Sequence, residues 1–475
     1  MEIIYQPHID REIESLIERI HPPRVCIDND SCKDCTVVKI DSANKHGILL
    51  EMVQVLTDLD LVISKSYISS DGGWLMDVFH VTDQVGKKLT DKNLVHYIQQ
   101  ALCETRRPQQ EVSVSAANVA IEVTGTDRPG LFSEISAVLV SLGFNVTSAT
   151  GWTHNDRVAC IIYLEEASKP GPIDYNEHLA KVQDQIQNVV EAHDGSGEKE
   201  KRSVRLTSFA AGRHHTERRL HQLMYADGDY ESCRACHGDR SGEHKKGCDG
   251  THVSVSRYEE KGYWVVNVRS RDRPKLLFDT VCVLTDLQYE VFHAAVSSTS
   301  SIADQEYFVR PKGSSNMDNE SERQKLTLCL IAAIERRVSH VCPMRPSMKG
   351  LRVDIRTQNR IGLLSNVTRV IRENGLSITR VQIGVEGEIA VGSFYVTDSS
   401  GQDVNPNIAE LLRKETGGSI VTVHNSPNRV PQSSSSSTTI HETKSTTEVR
   451  PRFSLGSMLW SHLDRLSSNF GPIKS

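Results

Sequence analysis

A chain of 475 residues, 38% of them hydrophobic, is too long for one core and apolar enough for several small ones. A net charge of −6 with 24% charged residues gives no bulk attraction to phosphate backbones or anionic membranes, so nucleic acid is not an expected partner. No apolar run nears the roughly 18–20 residues of a membrane span, the start MEIIYQPHIDREIE lacks a basic stretch followed by an apolar core, and eleven cysteines without a secretory signal point to reduced thiols in an intracellular protein.

Residues 1–35 read as an N-terminal helical segment, with Ile9, Ile13, Leu16, Ile17 and Ile20 at helical spacing before His21-Pro22-Pro23. Cys26, Cys32 and Cys35 follow; the last two have the CxxC spacing of half a zinc site, but no matching pair comes after them, and no metal is expected.

Four segments then share one plan. With Gly47, Gly130, Lys275 and Gly362 aligned as anchors, each is preceded by an alternating apolar run (Val37–Ile40, Val119–Val123, Trp264–Val268, Leu351–Ile355) and a polar turn. Each is followed by apolar residues at helical spacing, as with Leu131, Ile135, Val138, Leu139 and Leu142. Thirteen residues past the anchors stand Asp60, Gly143, Gln288 and Gly375, a position where glycine closes a helix at little cost. A second strand, a hairpin such as the one through Asp71-Gly72-Gly73, a second helix and a fourth strand complete β-α-β-β-α-β, the ferredoxin-like unit with an antiparallel sheet and helices on one face. In the first repeat the fourth strand is expected at Val112–Val114. The fold class is therefore α+β, with repeats at 36–115, 118–207, 262–342 and 350–425. Anchors one and two lie 83 residues apart, two and three 145, and three and four 87, which suggests two adjacent pairs, first with second and third with fourth.

The connector 208–260 begins with a helical pattern that turns Leu220, Leu223 and Met224 inward and continues into a polar stretch rich in His and Cys. Cys233, Cys236, His244 and Cys248 have the types and spacing of a zinc site, but the plainer reading is a polar loop with incidental thiols, and the CxxCH run ending at His237 is taken as a chance match. No cofactor is expected. Residues 426–451 form a Ser/Thr-rich linker, and 452–475 an amphipathic tail with Leu455, Leu459, Leu463 and Leu466.

Taken together, the repeats resemble ACT domains. The succession of MEIIYQPHIDREIE, GGWLMDVFHVTD, TGTDRPGLFSEI and RRLHQLMYADGDYE is similar to the plant ACT-domain-repeat (ACR) proteins over nearly the whole length. The resemblance implies amino-acid sensing by repeats like those at the C-terminus of bacterial uridylyltransferase sensors, without the catalytic module of those enzymes. In ACT proteins the ligand sits between two domains, which directs attention to the start of the second strand, Asn145 and Thr147 or Ser377 and Thr379.

The anchor loop suits such a ligand on physical grounds as well. Unpaired amides at a helix start attract a carboxylate, and an Asp or Asn oxygen attracts an ammonium. The candidate ligand-binding residues are Asn44, Gly47 and Ile48 in the first repeat, Asp127, Gly130 and Leu131 in the second, and Asn359, Gly362 and Leu363 in the fourth. Gly130 would let a ligand approach the backbone, Pro129 would preset the first helical turn, and Asp127 would serve either as acceptor or merely as helix cap. Lys275 replaces glycine in the third repeat, and no ligand is expected there. His46, His154, His193 and His214-His215 fall in no catalytic motif, so no enzyme activity is expected. The leading reading is a regulator that binds a free amino acid and signals to an unidentified protein partner, with a homo-oligomer allowed; the alternative is an interaction scaffold whose repeats have lost their ligand. Cytoplasm is the default location and the nucleus the alternative, since Arg218-Arg219 and Lys245-Lys246 are too short to mark import.

Overall fold

The computed structural model describes residues 24–71, 73–104, 118–166, 178–192, 203–209, 215–231, 250–258, 262–299, 301–312, 317–337, 351–398, 407–415 and 420–425. Repeat 1 contributes β1 (Arg24–Asp28), β2 (Thr36–Ala43), α1 (Ile48–Asp58), β3 (Val62–Asp71), β4 (Trp74–Thr82) and α2 (Lys92–Glu104). Repeat 2 contributes β5 (Asn118–Thr126), α3 (Leu131–Ser141), β6 (Phe144–His154), β7 (Arg157–Glu166), α4 (His178–Glu191) and β8 (Ser203–Phe209), and the connector helix α5 (Thr216–Ala226) follows. Repeat 3 has β9 (His252–Tyr258), β10 (Tyr263–Arg271), α6 (Leu276–Asp286), β11 (Tyr289–Thr299), β12 (Ile302–Pro311) and α7 (Glu320–Glu335). Repeat 4 has β13 (Leu351–Gln358), α8 (Leu363–Glu373), β14 (Leu376–Glu386), β15 (Ile389–Asp398), α9 (Ile408–Glu415) and β16 (Ile420–Asn425).

The chain divides into two compact units, and the division overturns the adjacent pairing inferred from the anchor spacings. Repeats 1 and 3 build one eight-stranded sheet, in the order β1-β2-β4-β3-β11-β12-β10-β9. Repeats 2 and 4 build the other, β16-β13-β15-β14-β6-β7-β5-β8. In each sheet the two repeats join through five antiparallel residue pairs, Lys65–Ser69 of β3 against Ser297–His293 of β11, and Ser148–Trp152 of β6 against Gly384–Arg380 of β14. Sequence distance misled because strand pairing rewards matching edges, not proximity along the chain.

A second correction concerns topology. Repeats 2 and 4 have the expected βαββαβ order, with the edge strands β8 and β16 following the second helix. In repeats 1 and 3 the same edge slot is filled by a strand that precedes the repeat, β1 on β2 and β9 on β10, so their order is ββαββα. Arg24–Asp28, placed in a helical N-terminal segment by the sequence reading, is thus a strand, and His252, placed in the connector, opens β9. The expected strand at Val112–Val114, the helical pattern Ile9–Ile20 and the C-terminal tail lie outside the described residues.

The residue thirteen past each anchor explains how the first helices stop. Asp60, Gly143, Gln288 and Gly375 all adopt positive φ, 55, 81, 62 and 72°. After α1, Asp60 N–H donates to the Thr57 carbonyl at 3.0 Å and Leu61 N–H to the Leu56 carbonyl at 3.1 Å, the two bonds of a Schellman cap. The second strand follows at once and carries a bulge at one place in all four repeats, skipping Ser64, Thr147, Phe292 and Thr379.

In the second unit a single hydrophobic core runs through both repeats, from Val119, Leu131, Ile135 and Leu139 to Val353, Leu363, Val367 and Ile371. Where α3 and α8 meet, Ser136 and Thr368 oppose their hydroxyls at 3.0 Å. Repeat 2 departs from the expectation of helices on one face. Helix α5 covers the opposite side of its sheet, burying Leu220, Leu223 and Met224 against Ala120, Trp152, Ala159 and Ile161. That cover is why β5 is buried on both faces from Val119 to Gly125 while β13 alternates buried and exposed.

Polar clamps hold α5 and the turn after it. Arg219 makes a bidentate pair with the buried Glu122 at 2.6 and 2.7 Å, and Arg157 with Asp227 at 2.6 and 2.7 Å. Asp229, fully buried, accepts from Arg336 at 2.7 Å through both carboxylate oxygens and meets His154 Nδ1 at 2.9 Å. Burial pushes the Asp229 carboxyl up, but Arg336 and His154 outweigh it and hold the group well below the ordinary carboxylate range. Removing one partner of so buried a pair typically costs about 3–5 kcal/mol.

Lys275 occupies the left-handed region, at φ 64°, where the other three anchors use glycine. A side chain there costs roughly 1–2 kcal/mol. Lys275→Gly should therefore raise the urea midpoint of the first unit, corresponding to a net gain of at most about 1 kcal/mol after the added flexibility of the unfolded chain is subtracted. A lower midpoint would mean that the lysine side chain contributes more than its backbone loses.

Candidate functional site

Each anchor sits at the third position of a tight turn that ends where the first helix starts. In repeat 2 the Leu131 N–H donates to the Arg128 carbonyl at 3.2 Å, and Gly130 has φ 85° and ψ −2°, the values for that position of a type II turn. Pro129 therefore fixes φ at the second position of this turn, not in the first helical turn as the sequence suggested. The same closing bond joins Ile48 to Lys45, Leu276 to Arg273 and Leu363 to Arg360. The backbone N–H of Asn44, Asp127, Asp272 and Asn359 ties each turn to the hairpin opposite, at 2.7–2.8 Å. No side chain caps α1, α3 or α8. Asp127 is thus not a helix cap: its carboxylate accepts from the Arg128 N–H and the Thr153 hydroxyl.

In the second unit two of these turns open into crevices between repeats 2 and 4. One, about 270 Å³ counting the solvent at its mouth, brings Asp127, Gly130 and the first turn of α3 against Arg372 of α8 and Ser377 of β14. The other, about 340 Å³, brings Asn359, Gly362 and Ser365 against Val140 of α3 and Asn145 of β6. Both figures include space open to solvent, and the free room between the lining side chains is close to that of a single water, so a ligand would enter by displacing side chains such as Arg372. The two crevices are related by position: the residue ten past one anchor faces the other anchor.

That relation distinguishes the turns. A Cβ built on Gly130 would lie 2.7 Å from Cδ and 3.2 Å from Cγ of Arg372, so the arginine stem passes directly over the glycine. At Gly362 the nearest atom is Val140 Cγ2 at 3.7 Å, and at Gly47, in the first unit, Thr285 Cγ2 at 3.9 Å. In those two, glycine is favoured by its positive φ alone, whereas at Gly130 a side chain would also have to displace the Arg372 stem. Arg372 makes no side-chain hydrogen bond or ion pair among the described residues. Sequence reasoning missed it because it belongs to another repeat, 242 residues from Gly130; the spacing between an anchor and the last turn of its helix was the only available signal.

Ile48, Leu131 and Leu363 have buried side chains that start the helix core, and their backbone N–H groups close the turns, so contrary to the sequence expectation none of the three has a donor left for a ligand carboxylate. Asn145 and Ser377 line the crevices, but Thr147 and Thr379 do not complete them. These are the bulge residues, and each hydroxyl donates across its own hairpin, Thr147 to the Tyr163 carbonyl at 3.3 Å and Thr379 to the Tyr395 carbonyl at 3.2 Å. Cys233, Cys236, His244 and Cys248 lie outside the described residues.

Burial pushes the Asp127 carboxyl up to about 6, with Asp156 adding to the rise and the Arg128 and Thr153 hydrogen bonds and the Arg128 charge opposing it. The unfolded chain ionises this group near 3.8, so between the two values the folded state holds the extra proton. Stability should be highest below the lower value and fall as pH rises to about 6, by at most on the order of 3 kcal/mol. Asp127→Asn, which keeps an oxygen acceptor, should be more stable than the parent at pH 7 and nearly equal to it at pH 4 in urea unfolding. An equal difference at both pH values would refute this assignment.

Comparison with known proteins agrees with this architecture. A model of the N-terminal ACT domain of the ACR family matches residues 31–109, and a general ACT-domain model matches residues 352–417. The chain is 50% identical to ACT domain-containing protein ACR1 of Arabidopsis thaliana, with 99% of each chain covered, and 46% identical to ACR3 of the same plant over 89% of this chain and 91% of the relative. A shorter match, 38% identical over 81 residues, reaches 9% of a bifunctional uridylyltransferase/uridylyl-removing enzyme of Azospirillum brasilense. With turn and bulge repeated four times, two sheets each shared by two repeats, and similarity extending over its full length, this chain belongs to the ACR family of ACT-domain proteins.

Proposed function

We propose that the crevice over Gly130 is a receptor for a free amino acid and that the protein is a non-catalytic regulator. The observation that carries this reading is the convergence, in one small crevice, of a carboxylate, an arginine with no side-chain partner among the described residues and a helix start without a side-chain cap. A zwitterion needs those complements: Asp127 for the ammonium, Arg372 and the amides that follow Leu131 in the first turn of α3 for the carboxylate. The crevice over Gly362 offers Asn359 and Val140 in the matching places and so has less charge with which to recognise a zwitterion. Ligand would bridge α3 of repeat 2 and α8 of repeat 4, and a change in their packing would carry the signal, with coupling typically about 1–3 kcal/mol. The regulatory role suggested by ACR-family membership is consistent with this, and an unidentified protein partner would read the altered surface.

Titration calorimetry of the full chain against each of the twenty amino acids tests the reading. At least one should bind, with affinity rising as pH increases through about 6 because the ammonium favours ionised Asp127. Arg372→Met should weaken that binding at least tenfold, by about 1.4 kcal/mol or more, without lowering the unfolding midpoint. Absence of heat and of thermal shift with every amino acid at millimolar concentration would overturn the proposal.

A further inference from the structure

On the face of the repeat 1 sheet opposite its helices, the fold completes a group that the sequence offered only in part. Cys32 and Cys35 precede β2, and His80 lies on β4 directly opposite Val37. Cys35 Sγ is 3.0 Å from Cys32 Sγ and 3.4 Å from His80 Nδ1, and the three potential ligand atoms all lie within 4.8 Å of one another. Cys35 is buried, while Cys32 and His80 are partly exposed, so the group can be reached from solvent.

The loop that holds the first cysteine is pinned before any ligand arrives. The Asp28 carboxylate accepts the backbone N–H groups of Asp30 and Ser31, each at 2.9 Å. Thr36 donates to Asn29 at 2.6 Å and accepts the Leu89 N–H at 2.9 Å. Lys88 donates to the Asn29 carbonyl at 2.7 Å and also to the Cys32 carbonyl. Such support fixes the ligating side chains without using them.

We infer that Cys32, Cys35 and His80 form a zinc-type metal site with one open coordination position. Two thiolates and a neutral imidazole balance a dication and are soft enough to prefer zinc to magnesium or calcium. At a zinc–sulfur bond of about 2.3 Å a tetrahedral site sets its ligand atoms roughly 3.4–3.8 Å apart. The His80–Cys35 distance already fits, and the two sulfurs need to part by about 0.8 Å, a small rotation of Cys32 on its partly exposed loop. Structural zinc sites use four protein ligands; three leave a place for water or an exchangeable ligand. Binding exchanges the two thiol protons for the metal, and no oxidation is involved.

The test uses the full chain, stripped of metal under reducing conditions and titrated with cobalt(II) and then zinc. Thiolate-to-cobalt charge-transfer absorbance should appear, and metal should protect the Cys32 and Cys35 peptides from alkylation, read by mass spectrometry so that other cysteines do not confuse the result. His80→Gln and Cys35→Ser should each weaken metal protection of Cys32 by more than the roughly tenfold that loss of an outer-shell partner costs, with an unchanged circular dichroism spectrum. Should Cys35→Ser fail to fold, the partly exposed His80→Gln decides. Alkylation of Cys32 and Cys35 that is indifferent to metal, or a Cys32–Cys35 disulfide forming equally fast with metal present, would overturn the site.

Discussion

Five antiparallel residue pairs join the two halves of each sheet, and the rest of the architecture depends on them. They begin one residue beyond the bulge in every case, at Lys65, Ser148, His293 and Arg380. The middle pairs, Tyr67 with Ala295 and Thr150 with Gln382, occupy the same position in both units. A bulge bends and twists its strand, here where the segment before it pairs only within its own repeat and the segment after it also pairs with the other repeat of the unit. Because the sheets continue across the join, the first helices of the two repeats are laid side by side; α3 and α8 meet at Ser136 and Thr368, and the two crevices open on either side of that contact. Without the strand pairing, the anchor turns would face solvent.

The outer edges of the sheets obey a looser rule. The slot beside the first strand needs a strand to satisfy its amides and carbonyls, but not one from a particular side of the repeat. β8 and β16 reach it from the end of their repeats, and β1 and β9 from the start. In repeat 2 the remaining face of the sheet is covered by α5, seated by Arg219 on the buried Glu122, and the turn after it is held by Arg336 on the buried Asp229. The connector's helix is thus part of a packed layer and not only a tether.

Much of this was legible in the residues. The alternation in Leu351–Ile355, the helical spacing from Leu131 to Leu142 and the glycines at 143 and 375 identified strand, helix and cap because each reflects local backbone physics. Helix α5 was readable from Leu220, Leu223 and Met224 for the same reason. Partner choice between repeats was not, since the pairing faces of β3, β6, β11 and β14 present no feature that distinguishes neighbour from distant copy. The anchor loops drew attention to Asp127 and Gly130 through their chemistry, but Arg372 became part of that site only when repeats 2 and 4 met. Thr147 and Thr379 were misread for a related reason: a bulge shifts the alternation that decides which side chains face a crevice, and nothing in the residues announces it. Likewise His80 joined Cys32 and Cys35 through strand register, 45 residues from the nearer cysteine.

The most direct check is on the pairing itself. In a chain carrying Ser136→Cys and Thr368→Cys, mild oxidation followed by peptide mass spectrometry would show which residues touch. The hydroxyls these cysteines replace lie 3.0 Å apart, so a 136–368 disulfide should form readily within one chain. No such link in folded protein, or preferential linkage of either position to a cysteine elsewhere, would contradict the pairing of repeat 2 with repeat 4 and with it the crevices proposed to hold the ligand.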